Sequence, residues 1–182
     1  MFANAVFTSD SELIVAASPG KTEIWRVASG QWVRSFTTGN LCNEWWNASL
    51  ACNAGRVITT CLNESAKIWS ISSGECLQTL EGHNGITSVA FSADGTMVRT
   101  ASNDCTAKIW STATHECLHT LRGHQCAVES GVFSLDGEHV LTRSDRPESL
   151  AKIWCVSSGQ CRHILDGKHN GISMECSVFS QM

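Results

Sequence analysis

Ala66-Lys67-Ile68-Trp69, Ala107-Lys108-Ile109-Trp110 and Ala151-Lys152-Ile153-Trp154 are one segment written three times, and Thr22-Glu23-Ile24-Trp25 keeps the same frame. The four tryptophans stand 44, 41 and 44 residues apart. Seven residues after each comes Trp32, Cys76, Cys117 or Cys161. Next follow Leu80-Glu81-Gly82-His83, Leu121-Arg122-Gly123-His124 and the looser Leu165-Asp166-Gly167-Lys168-His169, with Phe36-Thr37-Thr38-Gly39-Asn40 in the first copy. A repeat of this length is one supersecondary unit that cannot bury its apolar face alone and must stack on its neighbours.

Each unit holds four short apolar and β-branched runs, divided by Gly, Ser, Asn and Asp. In the third unit they are Ile86–Phe91, Thr96–Ala101, Ala107–Trp110 and Cys117–Leu121. Such runs are too short for helices and suit strands of a sheet buried on both faces. Ala93-Asp94-Gly95, Leu135-Asp136-Gly137 and Asn53-Ala54-Gly55 turn the first run into the second, with glycine where a turn takes positive φ.

These residues resemble the WD-repeat family of β-propellers across nearly the whole chain. The resemblance implies an all-β fold of four-stranded antiparallel blades, at about residues 1–38, 39–81, 82–122 and 123–166, within one domain over 1–182. A lone inner strand near Ser173–Ser180, in residues 167–182, follows them. Propeller rings hold roughly 4–8 blades. Four blades and an orphan strand therefore predict an open or partial ring, a piece of a longer propeller. Its bare edges would favour self-association.

The resemblance also implies a hydrogen-bonded chain of His, Ser/Thr, Asp and Trp inside a blade, since each polar group in a packed sheet needs a partner. The third unit carries His83, Ser102, Asp104 and Trp110. The fourth carries His124, Ser144 and Trp154, with Asp145 displaced by the insertion Arg146-Pro147. The second has Asn40, Cys61, Asn63 and Trp69, and the first keeps only Trp25. The family's Asp after the Trp is replaced by Arg26, Ser70, Ser111 and Cys155.

The 182 residues carry 13 basic and 17 acidic side chains, a net charge of −4. That balance, without a Lys/Arg cluster, weighs against a nucleic-acid partner. With 42% hydrophobic residues the chain is not a disordered one. No apolar run reaches the roughly 18–20 residues of a membrane span, and the first ten residues lack the basic start of a secretory signal. The ten cysteines include no Cys-x-x-Cys pair, so reduced thiols in the cytoplasm or nucleus are expected, and no zinc site. His115, His119, His139, His163 and His169 have no metal-ligand spacing. No Gly-x-Ser-x-Gly elbow or phosphate loop appears, so neither an enzyme nor a cofactor is expected. Asn47-Ala48-Ser49 and Asn63-Glu64-Ser65 match a glycosylation pattern that only a secreted chain would use.

Propellers act through loops held rigidly by their sheets, so binding residues are sought where one unit departs from its siblings. Gly39 to Gly55 is longer than Gly82 to Gly95 and contains Asn43-Glu44-Trp45-Trp46. Trp45 then falls in a loop on the Gly-His face and Trp46 at the start of an inner strand. An exposed indole there is an interface anchor; the alternative folds both rings over the edge of the first blade. Ser144-Asp145-Arg146-Pro147-Glu148-Ser149 is a second long turn, read as a solvated loop or a contact through Arg146. Asn84, Asn103 and Gln125 would flank it. The function expected is a non-catalytic scaffold for partner proteins or peptides. The alternative is a regulatory or targeting part of a larger protein.

Overall fold

In the computed structural model the described residues are 4–8, 10–18, 20–37, 50–53, 55–60 and 65–166. Among them the chain forms sixteen strands in four sheets of four. Sheet one holds β1 (Asn4–Phe7), β2 (Leu13–Ser18), β3 (Lys21–Arg26) and β4 (Trp32–Thr37). Sheet two holds β5 (Leu50–Asn53), β6 (Arg56–Thr60), β7 (Ala66–Ser70) and β8 (Cys76–Leu80). Sheet three holds β9 (Ile86–Phe91), β10 (Met97–Ser102), β11 (Ala107–Ser111) and β12 (Cys117–Leu121). Sheet four holds β13 (Val128–Phe133), β14 (His139–Ser144), β15 (Ala151–Cys155) and β16 (Cys161–Leu165). Strands lie side by side in chain order, antiparallel, and no sheet closes on itself. The expected strand near Ser173–Ser180 lies outside the described residues.

The chain divides into two compact units, Met1–Ile86 and Thr87–Met182. In the first, Val15, Ile24, Val57 and Trp69 form a core across sheets one and two, and Phe36 stacks on Trp69 with centroids 5.1 Å apart. In the second, Ala107, Ile109, Leu121, Val140 and Trp154 form the core between sheets three and four. Arg99 of β10 is buried in this second unit. Its Nη1 donates to Ser88 Oγ at 2.6 Å, its Nη2 donates to the Gly131 carbonyl, and burial pushes its pKa down to about 9. Gly131 has to be glycine, because a Cβ there would sit 2.5 Å from the Leu141 carbonyl oxygen.

The repeated tryptophan has a geometric cause. In every sheet the register slips by one residue just before it, between Ile24 and Trp25, Ile68 and Trp69, Ile109 and Trp110, and Ile153 and Trp154. Such a bulge sets two residues of the outer strand against one of its partner. It pairs Trp25 with Trp32, Trp69 with Cys76, Trp110 with Cys117 and Trp154 with Cys161, which is the constant interval of seven. The extra residues are Val33, Leu77, Leu118 and, in sheet four, Arg162. The turns before β2, β10 and β14 repeat as well. Thr8, Ser92 and Ser134 donate to Asp10, Asp94 and Asp136 at 2.5, 2.6 and 2.5 Å. These hydroxyls, with the backbone N–H two residues on, hold all three carboxyls below their ordinary range.

Candidate interaction site

Sheet four contains a directed chain of four side chains. Trp154 Nε1 donates to Thr142 Oγ1 at 2.7 Å. His124 Nε2 lies 2.8 Å from the same oxygen, and His124 Nδ1 lies 3.1 Å from Glu148 Oε2. Burial pushes the His124 pKa down, against the pull of Glu148, so the ring is neutral at pH 7. The tautomer assigned from this network carries its proton on Nδ1 and gives it to the carboxylate, while the Thr142 hydroxyl donates to Nε2. Although the His124–Glu148 pair has ion-pair spacing, it is a hydrogen bond of a neutral imidazole to an anion.

Glu148 is the junction. Its side chain is only 7% exposed, yet it stays ionised. Burial raises its pKa, but hydrogen bonds from Ser144, the Gln125 N–H and His124 outweigh that and leave it below the ordinary range. Oε2 accepts the Gln125 N–H at 3.0 Å, and Lys152 Nζ stands 3.7 Å from Oε1. Lys152 also donates to the Gly123 carbonyl at 2.5 Å, and the Asp145 N–H donates to the Ala127 carbonyl at 2.9 Å. Residues 122–127 and 145–150 are thereby tied together at one end of the sheet.

The hydroxyl that accepts the Trp154 indole N–H is Thr142, while Ser144 joins the chain at Glu148 and its Oγ accepts the Leu150 N–H at 3.1 Å. The carboxylate facing His124 is Glu148, while Asp145 is exposed. The Ser144–Ser149 turn is therefore not simply solvated, since it sends one carboxylate inward. In the sibling sheets Trp110 donates to Thr100 and Trp69 to Thr59, both at 2.9 Å. There Lys108 and Lys67 lie over the indoles, each 5.9 Å from the ring centre. Sheet one has Ala16 at this position and a half-buried Trp25.

His83 is buried, and so is Ser102, whose Oγ accepts the Asp104 N–H at 3.1 Å. Asp104 accepts the Thr106 hydroxyl at 2.6 Å. Asn84 is exposed just before β9, Asn103 is exposed between β10 and β11, and Gln125 and Arg146 are exposed on the two joined loops. Strand direction puts Asn103, Gln125 and Arg146 at the same end of sheets three and four. Trp45, Trp46, Asn40, Cys61 and Asn63 lie outside the described residues. Asp136, Glu138 and His139 hold ligand-type atoms within 4.8 Å of one another, but Asp136 is engaged in the same turn that Asp10 and Asp94 make. Seven cysteines among the described residues are free thiols. No helix among the described residues is long and apolar enough to cross a membrane.

Comparison with known proteins meets this geometry at the same repeats. The family model "WD domain, G-beta repeat" matches residues 74–111 and 115–146. These two segments are WD repeats. A stretch of 98 residues is 30% identical to apoptotic protease-activating factor 1 of Rattus norvegicus, covering 52% of this WD-repeat chain and 8% of that protein. Among solved structures, a chain of the "Crystal Structure of Mitotic Checkpoint Complex" superimposes with a TM-score of 0.80 at 16% identity. That match covers 90% of this chain and 50% of the other, so this WD-repeat chain spans half the length of its structural neighbour and a small part of its curated relative. The four sheets are propeller blades. Propellers of WD repeats serve in general as non-catalytic platforms for protein interaction.

Proposed function

We propose that this chain is a non-catalytic scaffold that holds partner proteins, or peptides from them, on the joined loops at the end of sheet four. Glu148 is the observation that supports this most. Burying a carboxylate is costly, and here it fixes two loops in one arrangement and leaves Gln125, Asp145 and Arg146 outward. An amide and both signs of charge, held without side-chain disorder beneath them, lower the ordering cost of binding. Asn84 and Asn103 extend the same polar chemistry. Trp45 and Trp46 belong to the proposal as aromatic anchors. Protein partners are preferred to nucleic acid because the chain is acidic. Free thiols fit the cytoplasm or nucleus.

The test is a photo-crosslinking amino acid placed at Arg146 or Gln125 of the full chain, with Glu138 on the opposite turn as control. Partner proteins trapped from 146 and 125 but not from 138 support the assignment, and equal trapping from all three removes it. Trp45→Ala is expected to deplete the same partners. A second reading, a regulatory or targeting part of a larger protein, is favoured by the rat relative, of which the matched stretch is 8%. Self-association through sheet edges is also proposed, and light scattering at micromolar concentration checks it: growth in mass with concentration is expected, and a constant monomer mass contradicts it.

A further inference from the structure

Sheet four departs from its siblings at two positions, and the two side chains line one cavity. The residue after the tryptophan is Ser70 in sheet two and Ser111 in sheet three, and Cys155 in sheet four. The following turn aims donors at this atom. Ser70 Oγ accepts the Ser73 N–H at 3.1 Å, and Ser111 Oγ accepts the Ala113 and Thr114 N–H groups at 3.3 and 3.1 Å. In sheet four the atom at this place is the Cys155 sulfur, with Ser157 Oγ 3.3 Å away. The second departure is the bulge residue, Val33, Leu77 or Leu118 elsewhere and Arg162 here. Hydrogen bonds from Ser157, then Ser158, then the Arg162 side chain bring the Cys155 thiol down to about 6, so a thiolate predominates at pH 7.

This half-buried sulfur opens onto a cavity of about 860 Å³. Arg162, His139 and His163 share it with the carboxylates of Asp136 and Glu138. We propose that Cys155 is a thiol-modification site that exchanges with small carboxylate-bearing disulfides of the glutathione class entering this cavity. The Cys155 thiolate attacks one sulfur of the disulfide. A new S–S bond to Cys155 forms as the original S–S bond breaks, and the other half leaves as a thiolate that takes a proton from water. Cys155 is oxidised to the mixed disulfide, and the released half is the reduced product. Arg162 offers a ligand carboxylate its counter-charge, and the two histidines offer ring nitrogens for hydrogen bonds.

The experiment treats the full chain with oxidised glutathione at pH 6.5, quenches with acid and maps adducts by mass spectrometry. Cys155 is expected to carry at least about ten times the adduct of the exposed Cys76, Cys117 or Cys161. Cys155→Ser, which restores the hydroxyl of the sibling sheets, is expected to melt as the parent does and to lose that adduct. Iodoacetamide labelling against pH is expected to give a midpoint near 6 for Cys155. Arg162→Leu, the residue of sheets two and three, is expected to slow labelling at pH 6.5 several-fold. Adduct spread evenly over the four cysteines, or a labelling midpoint that Arg162→Leu leaves in place, would overturn the proposal.

Discussion

Sheets one and four are the same blade with and without its polar chain. In sheet one Val15 and Ile24 are fully buried although Trp25 has only Ala16 where the siblings have threonine. In sheet four Val140 and Ala151 are as well buried, and Trp154, Thr142, His124 and Glu148 are linked as well. The apolar core therefore forms the blade, and the hydrogen-bonded chain does something else. It carries order from the rigid strands outward to the loops. A blade with the chain presents a fixed surface, which is where a scaffold needs one.

Removing the junction tests this comparison hardest. Glu148→Ala leaves His124 and the Gln125 N–H without their acceptor and Lys152 without its counter-charge, and the expected loss is about 3 kcal/mol in denaturant unfolding. Thr142→Val strips partners from both the Trp154 indole and His124, for an expected loss of about 2 kcal/mol. Thr100→Val in sheet three strands the Trp110 indole, for an expected loss of at least about 1 kcal/mol. A Thr142→Val variant as stable as the parent would contradict the chain as drawn.

Acid should act on sheet four first. The His124 pKa is lowered below the ordinary 6.5, so the unfolded chain binds a proton there that the folded chain resists. Stability is full above about 6.5 and falls as the pH drops through the lowered folded value. Glu148, Asp10, Asp94 and Asp136 are lowered from 4.5 and 3.8, and their contributions vanish in more acid solution. A melting temperature that declines between pH 6.5 and 5, and that His124→Gln flattens, is the expected result. The smallest effect is a gain: Ala16→Thr offers Trp25 the hydroxyl it lacks, worth up to about 1 kcal/mol.

The blades were legible because the Trp interval is fixed by a bulge that every sheet shares. The chain was half legible. Counted forward from the second strand, Ser144 takes the place of Ser102, and the place of Asp104 falls on Arg146, one residue past Asp145. Counted backward from the tryptophan, Asp104 and Glu148 both stand six residues before it, which finds the carboxylate. The two-residue insertion lies between the hydroxyl and the carboxylate, so only the backward count survives it. Thr142 and Ser144 alternate onto the same face of β14, and only the pairing of Val140 with Trp154 places the indole over Thr142. Neither the joining of the two loops by Glu148 nor the shared cavity of Arg162 and Cys155 is visible to local sequence pattern, since both depend on a turn and a bulge bringing distant residues together.

Hydrogen exchange on the full chain tests the central claim most directly, by comparing the Gln125 amide in the parent and in Glu148→Ala. Gln125 donates to Glu148 at 3.0 Å, so its exchange should rise at least about ten-fold relative to the β14 amides of the same molecule. A Gln125 amide that exchanges in the parent as fast as in the variant would mean that the loops are not held by this chain of side chains, and the platform assigned to sheet four would go with it.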